Sequence, residues 1–81
     1  MATTNDNQDI LTKIGAQLRM MRNQHHKIGY IAFAEDIVQM DKKTYYNLER
    51  GERDYKIGNL LKVLSQYPNY SLEQFFRDAG L

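Results

Sequence analysis

A chain of 81 residues with a formal net charge of +1, 42% hydrophobic residues and no cysteine has room for one domain and offers no disulfide framework or thiolate metal site. So short a chain buries about 60–65% of the surface it exposes when unfolded, and its stability must come from packing. The charge is small but uneven: Lys13, Arg19, Arg22 and Lys27 follow one another with no acidic residue between them, and Lys42, Lys43, Arg50, Arg53 and Lys56 crowd a later stretch against Asp41, Glu49, Glu52 and Asp54. A local basic face is expected there.

Residues 1–8 are polar, show no hydrophobic period, and read as a disordered tail ahead of a single domain over residues 9–81. The start, M-A-T-T-N-D-N-Q-D, has neither a basic opening nor an apolar run. Neither a signal peptide nor a membrane anchor is expected, and a cytoplasmic location is the default. Asp9 can cap a first helix in which Ile10, Leu11, Ile14, Leu18 and Met21 recur at spacings of three and four. Gly15 either weakens that helix or lets a neighbour approach closely. Arg22, one turn after Leu18, continues the buried edge of the stripe, where a lone cation is costly, so it needs a carboxylate.

The connector N-Q-H-H-K carries two adjacent histidines, but adjacent side chains point apart on a helix and no third ligand has suitable spacing, so no metal and no cofactor is expected. A second helix is predicted from about Gly29, with Ile31, Ala34 and Ile37 or Val38 on one face and Phe33 beside Ile37 on another shoulder. Gln39 and Met40 then form a short turn into D-K-K-T-Y-Y-N-L-E-R-G, residues 41–51. Asp41 can cap this third helix by accepting a hydrogen bond from a free backbone N–H, and Gly51 can end it in the left-handed conformation. Tyr45, Leu48 and Glu49 fall on one face, and Lys42, Lys43, Tyr46 and Asn47 on the other. The outward groups are of the kind that read a nucleic acid.

Beyond Gly51, Asp54 is the expected cap of a fourth helix holding Ile57, Leu60, Leu61 and Leu64, ended by Tyr67-Pro68-Asn69. Ser71 opens S-L-E-Q, a capping box with Gln74 reaching back, and a fifth helix carries Phe75, Phe76 and Ala79. No segment alternates as a strand would, so the fold class is all-α.

From Ile14 to about Phe76, roughly four fifths of the chain, the sequence resembles the XRE-type helix-turn-helix domain shared by phage repressors, Cro proteins and many small bacterial regulators. The matching pieces are I-G-A-Q-L-R-M-M-R in helix one, F-A-E-D-I in helix two, T-Y-Y-N-L-E-R-G-E-R in helix three, N-L-L-K-V-L in helix four and S-L-E-Q-F-F in helix five. The resemblance implies a compact five-helix bundle of the phage-repressor DNA-binding type, with helix three in the major groove and helix two across the backbone. It also implies an ion pair between Arg22 and Glu49, which makes Glu49 structural. Two departures stand out. Tyr30 occupies the start of helix two, where the family carries a glutamine that touches phosphate. The turn between helices two and three lacks the usual glycine and is one residue longer, with a further extra residue in the His25-His26 connector.

On that reading Lys42 and Lys43 donate to guanine O6 and N7, Asn47 pairs with adenine for roughly 1–3 kcal/mol of discrimination, and Tyr46 meets a thymine methyl or a phosphate. Tyr30, Thr44, Arg53 and Lys56 are expected at phosphates. The expected function is a sequence-specific regulator of transcription that binds double-stranded DNA, a repressor by preference, in a bacterial or phage-derived, nucleoid-associated setting. Useful specificity needs two half-sites about 34–36 Å apart, hence a homodimer on a palindromic operator; Tyr70, Phe75, Phe76 and Leu81 at the C-terminal end are the nominated dimer contact, with core filling an equal explanation for Phe75 or Phe76. An enzyme is not expected, since Glu35 and Asp36 point apart, no serine or cysteine has an evident base, and the sequence carries no glycine-rich phosphate loop. The alternative is a protein-interaction module of the same fold, such as an antitoxin that masks a toxin.

Overall fold

The structure is a computed structural model that describes residues 2–51 and 56–81, with side chains from Gln8 onward. Among the described residues the secondary structure is entirely helical: α1 (Ala2–His25), α2 (Tyr30–Ala32) continuing directly into a π-helical segment (Phe33–Val38), α3 (Lys42–Arg50), α4 (Ile57–Leu64) and α5 (Leu72–Asp78). The radius of gyration, 12.3 Å, is close to the roughly 12 Å of a compact domain of this length.

Helix α1 runs from Ala2 to His25, so Asp9 lies inside it instead of capping it, and residues 2–8 of the segment read as a tail are helical. The reason is a contact that hydrophobic periodicity does not register. The Gln8 amide donates to the Gly51 carbonyl at 3.0 Å, tying the polar first turns to the end of α3. Ile14, Leu18 and Met21 are buried as the stripe requires, whereas Ile10 is exposed. Gly15 meets the second of its two expectations. A Cβ there would run into the backbone carbonyl of Glu49 and would sit 2.7 Å from that of Leu48, so α1 and α3 cross almost backbone to backbone.

The second helix carries one residue more than a regular α-helix would hold. In a π turn each N–H reaches back five residues instead of four, which lets one added residue enter a helix without displacing its flanks. The Gln39 N–H reaches Ala34 O across five residues, and the Met40 N–H bonds the same oxygen at 2.8 Å. The phase of the helix shifts accordingly: Phe33, Ala34 and Val38 are buried, while Ile31 is 42% exposed. The expectation that Ile31 shares the buried face is therefore corrected, and of the pair Ile37 or Val38 it is Val38 that enters the core.

The turn before α3 is short because Gln39 adopts φ 63°, ψ 53°, the left-handed conformation for which glycine is the cheapest residue. A lysine from α4 secures it: Lys62 Nζ donates to Gln39 O at 2.9 Å. On α4 the buried residues are Leu60, Val63 and Leu64, followed by Tyr67, while Ile57 and Leu61 are 57% and 46% exposed. Of the predicted stripe only Leu60 and Leu64 face inward. The proposed cap Asp54 lies outside the described residues, and the residue before α4 is Lys56, whose side chain makes no cap hydrogen bond. Ser71 caps α5 through Gln74 N at 3.0 Å, but the Gln74 amide bonds Asp78 at 2.7 Å instead of reaching back, so only half of the capping box forms.

Candidate nucleic-acid interface

Helix α3 is fixed at both ends and along one side. Asp41 Oδ2 accepts hydrogen bonds from Lys43 N (3.0 Å) and Thr44 N (3.2 Å). Gly51 closes the other end at φ 72°, its N–H bonded to Asn47 O and Leu48 O. A side chain at Gly51 would also strike α1, since a Cβ would lie 2.9 Å from Leu11 O. Tyr45 and Leu48 are fully buried against the core.

Arg22 and Glu49 complete the attachment. Arg22 Nε and Nη2 donate to the two carboxylate oxygens of Glu49 at 2.7 and 3.0 Å. The remaining arm, Nη1, donates to Ile28 O at 2.6 Å and to Asn23 Oδ1 at 3.2 Å. With side chains only 10% and 7% exposed, the pair is held away from water. Such burial is offset only because both carboxylate oxygens and both guanidinium edges are engaged. One arginine thereby joins α1, α3 and the connector leading to α2.

Two tyrosines border this pair. Burial pushes the Tyr45 hydroxyl well above its ordinary range, and the neighbouring Glu49 carboxylate adds to the effect. Tyr67 is pushed up to about 12, again by burial first and by Glu49 second. Neither hydroxyl has a hydrogen-bond partner among the described residues. Both tyrosines therefore stay neutral at ordinary pH and act as core fillers.

The side of α3 turned away from these attachments presents Lys42, Lys43, Tyr46 and Arg50, all exposed, with Thr44 and Asn47 half-buried on its flank. Tyr46 makes contacts that the sequence does not suggest. Arg50 Nη1 donates to its hydroxyl at 2.9 Å, the Arg50 guanidinium carbon lies 5.4 Å from the ring centroid, and the Tyr30 ring lies 4.9 Å away on a tilted plane. Tyr30, the first residue of α2, is thus placed beside the outer face of α3. Lys56 is exposed just before α4, and Arg53 lies outside the described residues. The residues brought together are therefore Lys42, Lys43, Thr44, Tyr46 and Asn47 on one helix and Tyr30 against it.

Arg50 and Arg19 were missed by sequence reasoning. Arg50 could have been found, since it follows Tyr46 by four positions and so shares its face. Arg19 has no such signal on α3. It lines, with Tyr30, Tyr46 and Arg50, a groove of about 440 Å³ between α1 and α3.

At the C-terminal end core filling holds for Phe75. Phe75 is fully buried in the core of its own chain, and Phe76 and Tyr70 pack against that core. The Tyr70 hydroxyl donates to Asp78 at 2.7 Å and is pushed up to about 12 by burial and by that bond. Of the nominated dimer contact only Leu81, at 47%, is openly exposed, and Phe75 is removed from it. The cause is size: a domain this small uses its aromatic side chains to fill its centre.

Among the described residues no helix is long and apolar enough to cross a membrane. No family model, curated protein or solved structure matches this chain.

Proposed function

We propose that the protein is a helix-turn-helix regulator that binds double-stranded DNA by laying the outer face of α3 in the major groove. The observation that carries this reading is the division of α3 into two faces. Tyr45, Leu48 and Glu49 are committed to the domain, while Lys42 and Lys43 stand exposed at the capped N-terminal turn. A tight left-handed turn and a second helix precede it, which is the arrangement that presents the start of a helix to base edges. Lys42, Lys43 and Asn47 are the groups for base edges. Tyr46, braced by Tyr30 and Arg50, sits nearer the sugar-phosphate strand, together with Tyr30, Thr44 and Lys56. Nine residues of helix span only about 14 Å at 1.5 Å per residue, so two copies on a palindromic site would supply the specificity that one lacks.

A selection from random duplexes followed by binding measurements at 50 and 200 mM salt tests the reading. The wild-type protein should bind the selected duplex with strong salt dependence. Asn47→Ala should lower affinity for the selected duplex by about 5- to 150-fold, the equivalent of roughly 1–3 kcal/mol, with little change for a scrambled one. Absent or salt-insensitive duplex binding, together with a tight protein partner, would assign the same fold to partner masking instead.

A further inference from the structure

We propose that the groove between α1 and α3 seats a phosphate of the DNA backbone, with the Arg19 guanidinium as its charge and the Tyr30 hydroxyl as a second donor, so that helix α1 belongs to the DNA-binding surface. The proposal rests on the functional reading above and adds to it a strand contact that includes α1.

The groove is about 440 Å³ in volume, with Thr12, Ala16 and Arg19 of α1 on one wall and Tyr46 and Arg50 of α3 on the other. The charge balance is favourable to an anion. Among the described residues Glu49 is the only carboxylate in the lining, and both its oxygens are taken by Arg22. Those two charges cancel, which leaves Arg19 as an exposed cation on α1.

Position selects the backbone over the bases. Tyr46 lines the groove while Lys42, Lys43 and Asn47 do not, and Tyr30 and Arg50 contact its ring and hydroxyl. A duplex centred on Lys42, Lys43 and Asn47 would carry one strand along this flank. A guanidinium offers a planar pair of N–H donors matched to a phosphate's oxygens, and a tyrosine hydroxyl adds a third donor without charge. The volume exceeds that of one phosphate and the groove is open to solvent, as suits a strand passing across it.

The test uses the full chain with two probes, a duplex recovered by selection from a random pool and a scrambled duplex of the same length, at 50 and 200 mM salt. Arg19→Gln should weaken both duplexes by a similar factor and reduce the salt slope by about 0.9, so that its deficit against wild type shrinks about three- to fourfold between the two salt concentrations. Arg19→Lys should keep the wild-type slope, because the charge is retained. Lys13→Gln, on the same helix but not lining the groove, should change the slope by clearly less than Arg19→Gln. If wild type binds the selected duplex and Arg19→Gln matches it in affinity and slope, or if Lys13→Gln has the same effect as Arg19→Gln, the phosphate seat is wrong while the reading of α3 stands. If wild type binds neither duplex, both are overturned.

Discussion

Arg22 decides how α3 is held. A buried ion pair is weak evidence of net stabilisation, but removing one partner leaves the other charge desolvated and unpaired, at about 3–5 kcal/mol. A domain of 81 residues has a total stability of only roughly 4–12 kcal/mol, so the loss is a large fraction of it. Glu49→Ala should therefore shift the urea midpoint sharply downward, with DNA binding lost only in proportion to the unfolded fraction. Full stability with binding abolished would instead make Glu49 a contact residue. At this scale much of the site was legible. Arg22 sits on the edge of an apolar stripe, which by itself demands an anion, and Glu49 lies on the inner face of α3. The contact of the Tyr30 ring with Tyr46 was not legible, because it depends on the angle at which two helices meet.

The π-helical segment is the element that departs most from a regular reading. In an α-helix the buried pair of Phe33 would fall at positions 36 and 37, whereas here it is Val38 that turns inward and Asp36 that stays exposed. Sequence periodicity assumes one repeat throughout and cannot place a change of repeat, which is why Ile31 was assigned to the core and the extra residue to the turn. Removing Asp36 should convert the segment to a regular helix with Phe33 and Val38 still on one face. Thermal unfolding followed by circular dichroism should then show native helix content and a destabilisation below about 2 kcal/mol, or a fall in Tm of under about 15 °C. Deleting Arg19 from the middle of α1 should by contrast unfold the chain, since it rotates everything beyond it by about 100°. Comparable damage from both deletions would contradict the account of the segment. The capped ends of α3 were readable from Asp41 and Gly51, since both caps are local chemistry; the start of α1 was not, because it is tied down by the contact from Gln8 to Gly51 far along the chain.

For the whole molecule, an all-helical bundle of 40 × 26 × 20 Å presents its attachments and its basic outer helix on separate surfaces. Length and hydrophobic periodicity were enough to expect one small helical domain, but they could not say which aromatic residues fill it, and Phe75 went to the core instead of to a partner. The central claim is that the side of α3 facing away from Tyr45 and Leu48 meets DNA. Its most direct test is titration of the isotopically labelled protein with a selected duplex, followed by amide chemical shifts. The account predicts that the largest changes fall on Lys42, Lys43, Tyr46 and Asn47, with smaller ones at Tyr30 and Arg19 and none of similar size along α5. Changes concentrated on α5, or spread evenly over the chain, would contradict it.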